Sequence, residues 1–182
     1  MSTPEQFDLP GNSCSKADFR NQKATELANL LQEEVLPFVQ FVDACESESH
    51  DIVVLDIEPE VSQNPQHDIR NVERIAVLFD PKDKNTPEPR ALRKEFPLAP
   101  HQNIRPEGKA RSLCLYEEPY EERRHNWTAA RFVRRLQEWL TKTARGELHD
   151  ENQPLERLFL GTPVRIVLPS SLYSTQAPDH PS

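Results

Sequence analysis

Cysteine, histidine and asparagine come close together in one stretch of this chain. His101 and Asn103 precede Cys114, which sits in the apolar run Leu113-Cys114-Leu115; Pro106 and Gly108 lie in the loop between. A cysteine nucleophile needs access, a lowered barrier to thiolate formation and a donor for the oxyanion at the attacked carbonyl. An asparagine amide donates a hydrogen bond to such an oxyanion without titrating. A histidine can act as a base, although an asparagine beside an exposed cysteine does not require one. Each residue also has a plainer reading. A cysteine in an apolar run is commonly a core residue, asparagine is a common turn residue, and His101 can be a loop histidine held by hydrogen bonds. Cys14, in a tail, and Cys45, beside a charged turn, have no partners in their local sequence and receive no role.

The elements that must position this stretch follow from periodicity. Ala17, Ala24, Leu27, Ala28, Leu30, Leu31 and Val35 recur at three and four. They predict an amphipathic helix over roughly 17–34, capped by Ser15 or Asp18 and stopped by Pro37. Residues 38–42, 52–57 and 72–79 are β-branched and aromatic and predict strands, joined by the polar turn 46–50 and a loop from 59 to about 70. Loops rather than helices between strands imply an antiparallel meander. Residues 80–90 read as a turn-rich excursion, 112–116 as a fourth short strand and 117–125 as a charged loop. The clearest helix is 128–145, with Thr128 as cap, Ala129, Phe132, Val133, Leu136, Trp139, Leu140 and Ala144 on one face, and Gly146 as stop. Beyond it come an apolar patch (Leu155, Leu158, Phe159, Leu160), a strand at 164–168 closed by Pro169, and a tail.

Composition narrows the function classes. The chain has 182 residues, 36% apolar and 29% charged, with 17 prolines against 4 glycines, and a mean hydropathy of -0.75. That predicts one domain with ordered cores, long polar loops and loose ends. A net charge of -8 argues against a nucleic-acid binder that works by phosphate neutralisation. No apolar stretch is long enough for a membrane span, and the N-terminus lacks the basic start and apolar core of a secretory signal. Three widely spaced cysteines make no disulfide framework and suit a reducing cytoplasm. Without Cys-x-x-Cys or His-x-x-x-His a zinc site has little support, and no cofactor is implied.

The order of these elements resembles the ubiquitin-conjugating (E2) fold. That is an α+β architecture of N-terminal helix, four-stranded antiparallel meander, active-site loop and C-terminal helix. Phe96-Pro97-Leu98-Ala99-Pro100 is similar to the proline-bearing segment ahead of that family's motif. His101-Gln102-Asn103-Ile104 resembles His-Pro-Asn-Ile, with Gln102 in place of proline. Gly108 with Ser112-Leu113-Cys114-Leu115 resembles the active-site run, and Asn126-Trp127-Thr128 the tryptophan-bearing turn before the next helix. The similarity covers roughly residues 17–146 and leans toward bacterial E2-like proteins. Two departures are the longer gaps from Asn103 to Cys114 and from Cys114 to Trp127.

Three divisions are expected: a flexible lead over 1–13, rich in Pro, Ser, Asn and Gly; a domain over 14–160 that the resemblance implies is catalytic; and an edge strand with a disordered tail, or a linker to a further domain, over 161–182. The resemblance implies a thioester mechanism with Cys114, Asn103 and His101 as site residues. An E1-like adenylating enzyme, separate or fused, would activate a ubiquitin-like protein or a target C-terminus. Cys114 would accept the acyl group and pass it to a target lysine, with Asn103 supporting the oxyanion or holding the loop. Bacterial members lie in antiphage defence operons. One of Glu117, Glu118, Glu121 and Glu122 could orient the lysine, or these form a solvated acidic loop. Arg123, Arg124, Arg131, Arg134 and Arg135 read as a solvated helix surface or as a dock for an acidic partner. The competing readings are a catalytically silent E2-like module that binds a ubiquitin-like protein or an E1, and a cysteine hydrolase using Cys114 and a histidine.

Overall fold

A computed structural model describes residues 5–8 and 11–148. The predicted patch at Leu155–Leu160, the strand at 164–168 and the tail lie outside the described residues.

The architecture is α+β. Seven antiparallel strands form one sheet in the order β1-β2-β3-β4-β5-β7-β6. These are β1 (Asn12–Ser13), β2 (Val39–Glu46), β3 (Asp51–Ile57), β4 (Glu73–Phe79), β5 (Glu88–Ala91), β6 (Gln102–Asn103) and β7 (Arg111–Leu113). The helices are α1 (Gln22–Gln32), the short α2 (Tyr120–Arg123) and α3 (Ala129–Arg145).

Strands β3 and β4 are buried on both faces, which is why they read as nearly continuous apolar runs. Their alternation divides the core. Val53, Leu55, Ile57, Ile75, Val77 and Phe79 join the main cluster with Leu27, Leu31, Phe132, Val133, Leu136 and Leu140 of α1 and α3. Ile52, Val54, Ala76 and Leu78 face the other way, with Cys45 and Leu92. Each of the valines, leucines, isoleucines and phenylalanines among them contributes roughly 1.5–3 kcal/mol when fully withdrawn from water.

Helix α3 follows its predicted signals. Thr128 caps it by accepting from the Arg131 N–H, and Gly146 ends it in the left-handed conformation at φ 71°. Helix α1 departs from them. It starts at Gln22 under an Asn21 cap, while Ser15 caps only a single 3-10 turn, Lys16–Asp18. The cause lies far away in the chain. The buried Asp51 carboxylate accepts from the N–H groups of Arg20 and Asn21, each at 2.7 Å. Both donors are thereby drawn out of a helix.

The four-stranded meander becomes part of a larger sheet. The expected turn-rich excursion contains β5, whose Pro89 and charges mask it in sequence. Strand β7 pairs with Arg90 and Ala91 and stops short of Pro89, so the missing N–H interrupts no ladder there. Glu88 and Arg90, two apart on one face, pair at 2.6 Å, and Arg105 joins Glu88 at 3.0 Å. The fourth predicted strand, 112–116, is shortened to Arg111–Leu113. Parts of the predicted flexible lead are tied down: Asn12 and Ser13 pair with Glu46 and Cys45, and the Phe7 N–H donates to the Leu92 carbonyl. Among the described residues no helix is long and apolar enough to cross a membrane.

Candidate active site

Cys114 sits one residue past the end of β7. Leu113 before it and Leu115 after it are buried in the main core, and they hold the cysteine between two anchors. Cys114 itself is only partly buried. Its N–H donates to the His101 carbonyl at 2.9 Å, and its thiol donates to the Tyr116 carbonyl at 3.4 Å. His101 adopts φ 55°, the left-handed region that costs a non-glycine residue about 1 kcal/mol or more. That turn leads directly into β6, whose Gln102 pairs with Leu113 and Asn103 with Ser112.

The cysteine opens on a cleft of about 210 Å³. His101, Tyr116 and Glu117 line it beside Cys114, and α3 supplies Arg135, Glu138 and Trp139. Arg135 Nε donates to the Leu115 carbonyl at 3.2 Å, which ties the segment after the cysteine to the helix. The Lys142 hydrogen bond, helped by the Arg135 charge, holds Glu138 below the usual carboxylate range. Burial raises the Cys114 thiol above its ordinary value; Glu117 pushes the same way and Arg123 against it. Burial thus works against the thiolate, the reactive form of a cysteine. Among the described residues no three His, Cys, Asp or Glu side chains gather closely enough to hold a metal ion.

Of the three sequence-predicted residues, His101 and Cys114 share this cleft. Asn103 does not line it. Its side-chain amide donates to Ser112 Oγ at 2.8 Å, across the β6–β7 pair. Gln102, where the resembling motif has proline, donates from Nε2 to the Pro97 carbonyl at 3.0 Å. A side-chain hydrogen bond there braces the turn that a pyrrolidine ring would stiffen. The Gln102 Oε1 atom is buried without a partner.

Other contributors to the site carry no motif in the sequence. The predicted charged loop 117–125 contains α2, and its Tyr120 is buried. The Tyr120 hydroxyl donates to Asp83 and accepts from Lys23 at 2.5 Å. This fixes the segment after the cysteine to α1 and to the β4–β5 turn. Burial pushes the Asp83 carboxyl up, but hydrogen bonds from Lys23 and Tyr120 hold it below its usual range. Trp127 packs edge-on against Phe79 and tilted against Phe132. An aromatic residue isolated among charges was the available signal for Tyr120.

No curated protein and no solved structure matches this chain. The model of prokaryotic E2 family A matches residues 28–177, a span that includes His101, Asn103 and Cys114. On that match the chain belongs to prokaryotic E2 family A, a bacterial E2-like family.

Proposed function

We propose that this protein is an E2-like conjugating enzyme that carries a ubiquitin-like protein, or a target C-terminus, as a thioester on Cys114 and transfers it to a lysine amine. The observation that carries the reading is the position of Cys114. It lies at the end of β7, with its backbone gripped by His101 and its thiol on a cleft walled by α3.

In the first step Cys114 loses its proton and Sγ attacks the thioester carbonyl presented by an E1-like enzyme. The new S–C bond forms, and the E1 cysteine leaves as thiolate and takes up a proton. In the second step a neutral lysine amine attacks the Cys114 thioester. An amide forms, the amine proton is lost, and Cys114 leaves as thiolate. The thioester retains acyl-transfer potential, so neither step needs ATP or a metal in this domain. His101 acts through its carbonyl, which fixes the height of Cys114 in the cleft. Asn103 holds the β6–β7 pair through Ser112, in line with the loop-holding alternative rather than direct oxyanion contact. Glu117 lines the cleft close in sequence to the cysteine, with Glu138 and Glu147 also in its lining, and these are the acidic groups that an incoming ammonium would meet.

A pulse–chase experiment tests this. The protein is charged with its E1-like enzyme, ATP and ubiquitin-like protein; ATP is then removed and free lysine added. The reading expects a reducible adduct that discharges faster as lysine rises. An adduct that hydrolyses at a rate independent of lysine would favour a hydrolase instead.

A further inference from the structure

The sequence from Tyr120 to Arg145 carries seven basic and three acidic residues, a formal charge of +4, in a chain whose total is -8. This charge is not spread evenly. Arg131, Arg134 and Arg135 are all exposed on α3, and spacings of three and four place them on one face. Among the described residues Arg131 and Arg134 have no carboxylate partner, and Arg135 has only Glu138, at 3.5 Å. A groove of about 390 Å³ runs between α2 and the start of α3. Tyr116 and Trp127 line it together with Arg123, Arg131 and Arg135. The Arg123 guanidinium lies over the Tyr116 ring, 3.7 Å from its centroid, and donates to the Glu118 carbonyl at 3.3 Å. Two carboxylates, Glu118 and Glu122, also line the groove. Glu118 reaches Arg123 only at 3.9 Å, and among the described residues it forms no ion pair with Arg131 or Arg134. The Trp127 indole N–H is buried without a hydrogen-bond partner.

We infer that this groove is a docking site for an acidic, extended segment of a partner protein, its carboxylates on Arg131 and Arg135 in the groove and on Arg134 beside them on the exposed face of α3, and its backbone or apolar side chains on Tyr116 and Trp127. Charge complementarity selects the occupant. Planar guanidiniums pair carboxylates bidentately, and a basic face on a chain of net charge -8 favours an acidic partner there. The aromatic floor suits a peptide, which lays side chains into a groove, better than a bare phosphate backbone. Tyr116 and Arg135 also line the Cys114 cleft, so a segment docked here lies beside the thiol. The inference does not depend on acyl transfer at Cys114.

The test uses a fluorescein-labelled twelve-residue peptide of alternating Glu and Leu-Gly pairs, its Gln-for-Glu counterpart, and a twelve-nucleotide single-stranded DNA. The full-length protein should bind the acidic peptide at least about tenfold more tightly than the Gln counterpart, with affinity falling as salt rises. Arg131→Glu/Arg134→Glu should weaken binding about tenfold or more, whereas Arg145→Glu, at the far end of α3, should leave it within about twofold. Unchanged thermal melting shows that the double variant folds; if it melts early, Arg131→Gln/Arg134→Gln replaces it. In NMR the Trp127 indole N–H signal should move on titration of the acidic peptide. Equal binding of the two peptides, tighter binding of the DNA, binding that survives both arginine pairs, or an unmoved Trp127 signal would each overturn the proposal.

Discussion

Two cysteines, one within β2 and one just past β7, lie toward opposite sides of the sheet and have opposite surroundings. Cys45 lies within β2, an eight-residue strand, paired with Ile52 and packed among Val54, Ala76, Leu78 and Leu92. Burial, reinforced by the charge and hydrogen bond of Asp43, pushes its thiol up to about 11. Cys114 follows β7, a strand of three residues at the end where β6 has only two. There the ladder runs out, the side chain opens on a cleft, and the backbone is held by single contacts to His101 and by core leucines on either side. The chemistry of the residue is the same in both places. The difference is that long strands enclose a thiol, whereas a strand that ends early leaves it at an edge.

The largest expected contrast is in reactivity. Iodoacetamide should modify native Cys114 on the order of 100-fold faster than native Cys45, which should react only through unfolding. Peptide mapping after partial labelling measures this. The Cys114 rate should rise about tenfold per pH unit from neutral pH, and its midpoint should lie above the ordinary thiol value of about 8.5, because burial favours the protonated form. Comparable labelling of the two cysteines in the folded protein would erase the distinction.

A smaller effect concerns stability. The folded value of Cys45 exceeds its unfolded one, so its contribution is complete below about pH 8.5 and is lost as pH rises through about 11. Urea denaturation of wild type against Cys45→Ala should show the wild type losing roughly 3 kcal/mol more over that alkaline window. Transfer through Cys114 should be unaffected by the change. A parallel decline in both proteins would mean that Cys45 does not carry the pH dependence.

The smallest effect sharpens the role of Asn103. If it braces β6 against β7, Asn103→Ala and Ser112→Ala should each slow lysine transfer by less than about tenfold, and the double variant should be no worse than the singles. If it met the oxyanion directly, Asn103→Ala alone should cost about 100- to 1,000-fold, and Ser112→Ala far less. Single-turnover discharge rates separate the two.

The well-enclosed end of the sheet was more legible in the sequence than the site end, for a physical reason. Strands β3 and β4 and helix α3 advertise themselves because burial demands an unbroken apolar pattern. Strand β5 does not, since its Glu88, Pro89 and Arg90 are stabilised by an ion-pair cluster and by a register that spares Pro89. Strand β6 is too short to have a pattern. The start of α1 depends on Asp51, 30 residues beyond Asn21 in sequence, so its own neighbours point to the wrong cap. At the site, Cys114 was recognisable from its apolar flanks and the His-x-Asn before it. The partner of Asn103 was not, because only the β6–β7 register brings Ser112 opposite.

The central step proposed for this protein is an acyl thioester at Cys114. Intact mass spectrometry after incubation with the E1-like enzyme, ATP and the ubiquitin-like protein tests it most directly. Wild type and Cys45→Ala should gain one ubiquitin-like mass that thiol reductant removes, Cys114→Ser should gain one that reductant leaves in place, and Cys114→Ala should gain none. A reducible adduct on Cys114→Ala, or an unmodified wild type beside a fully charged E1, would contradict the account.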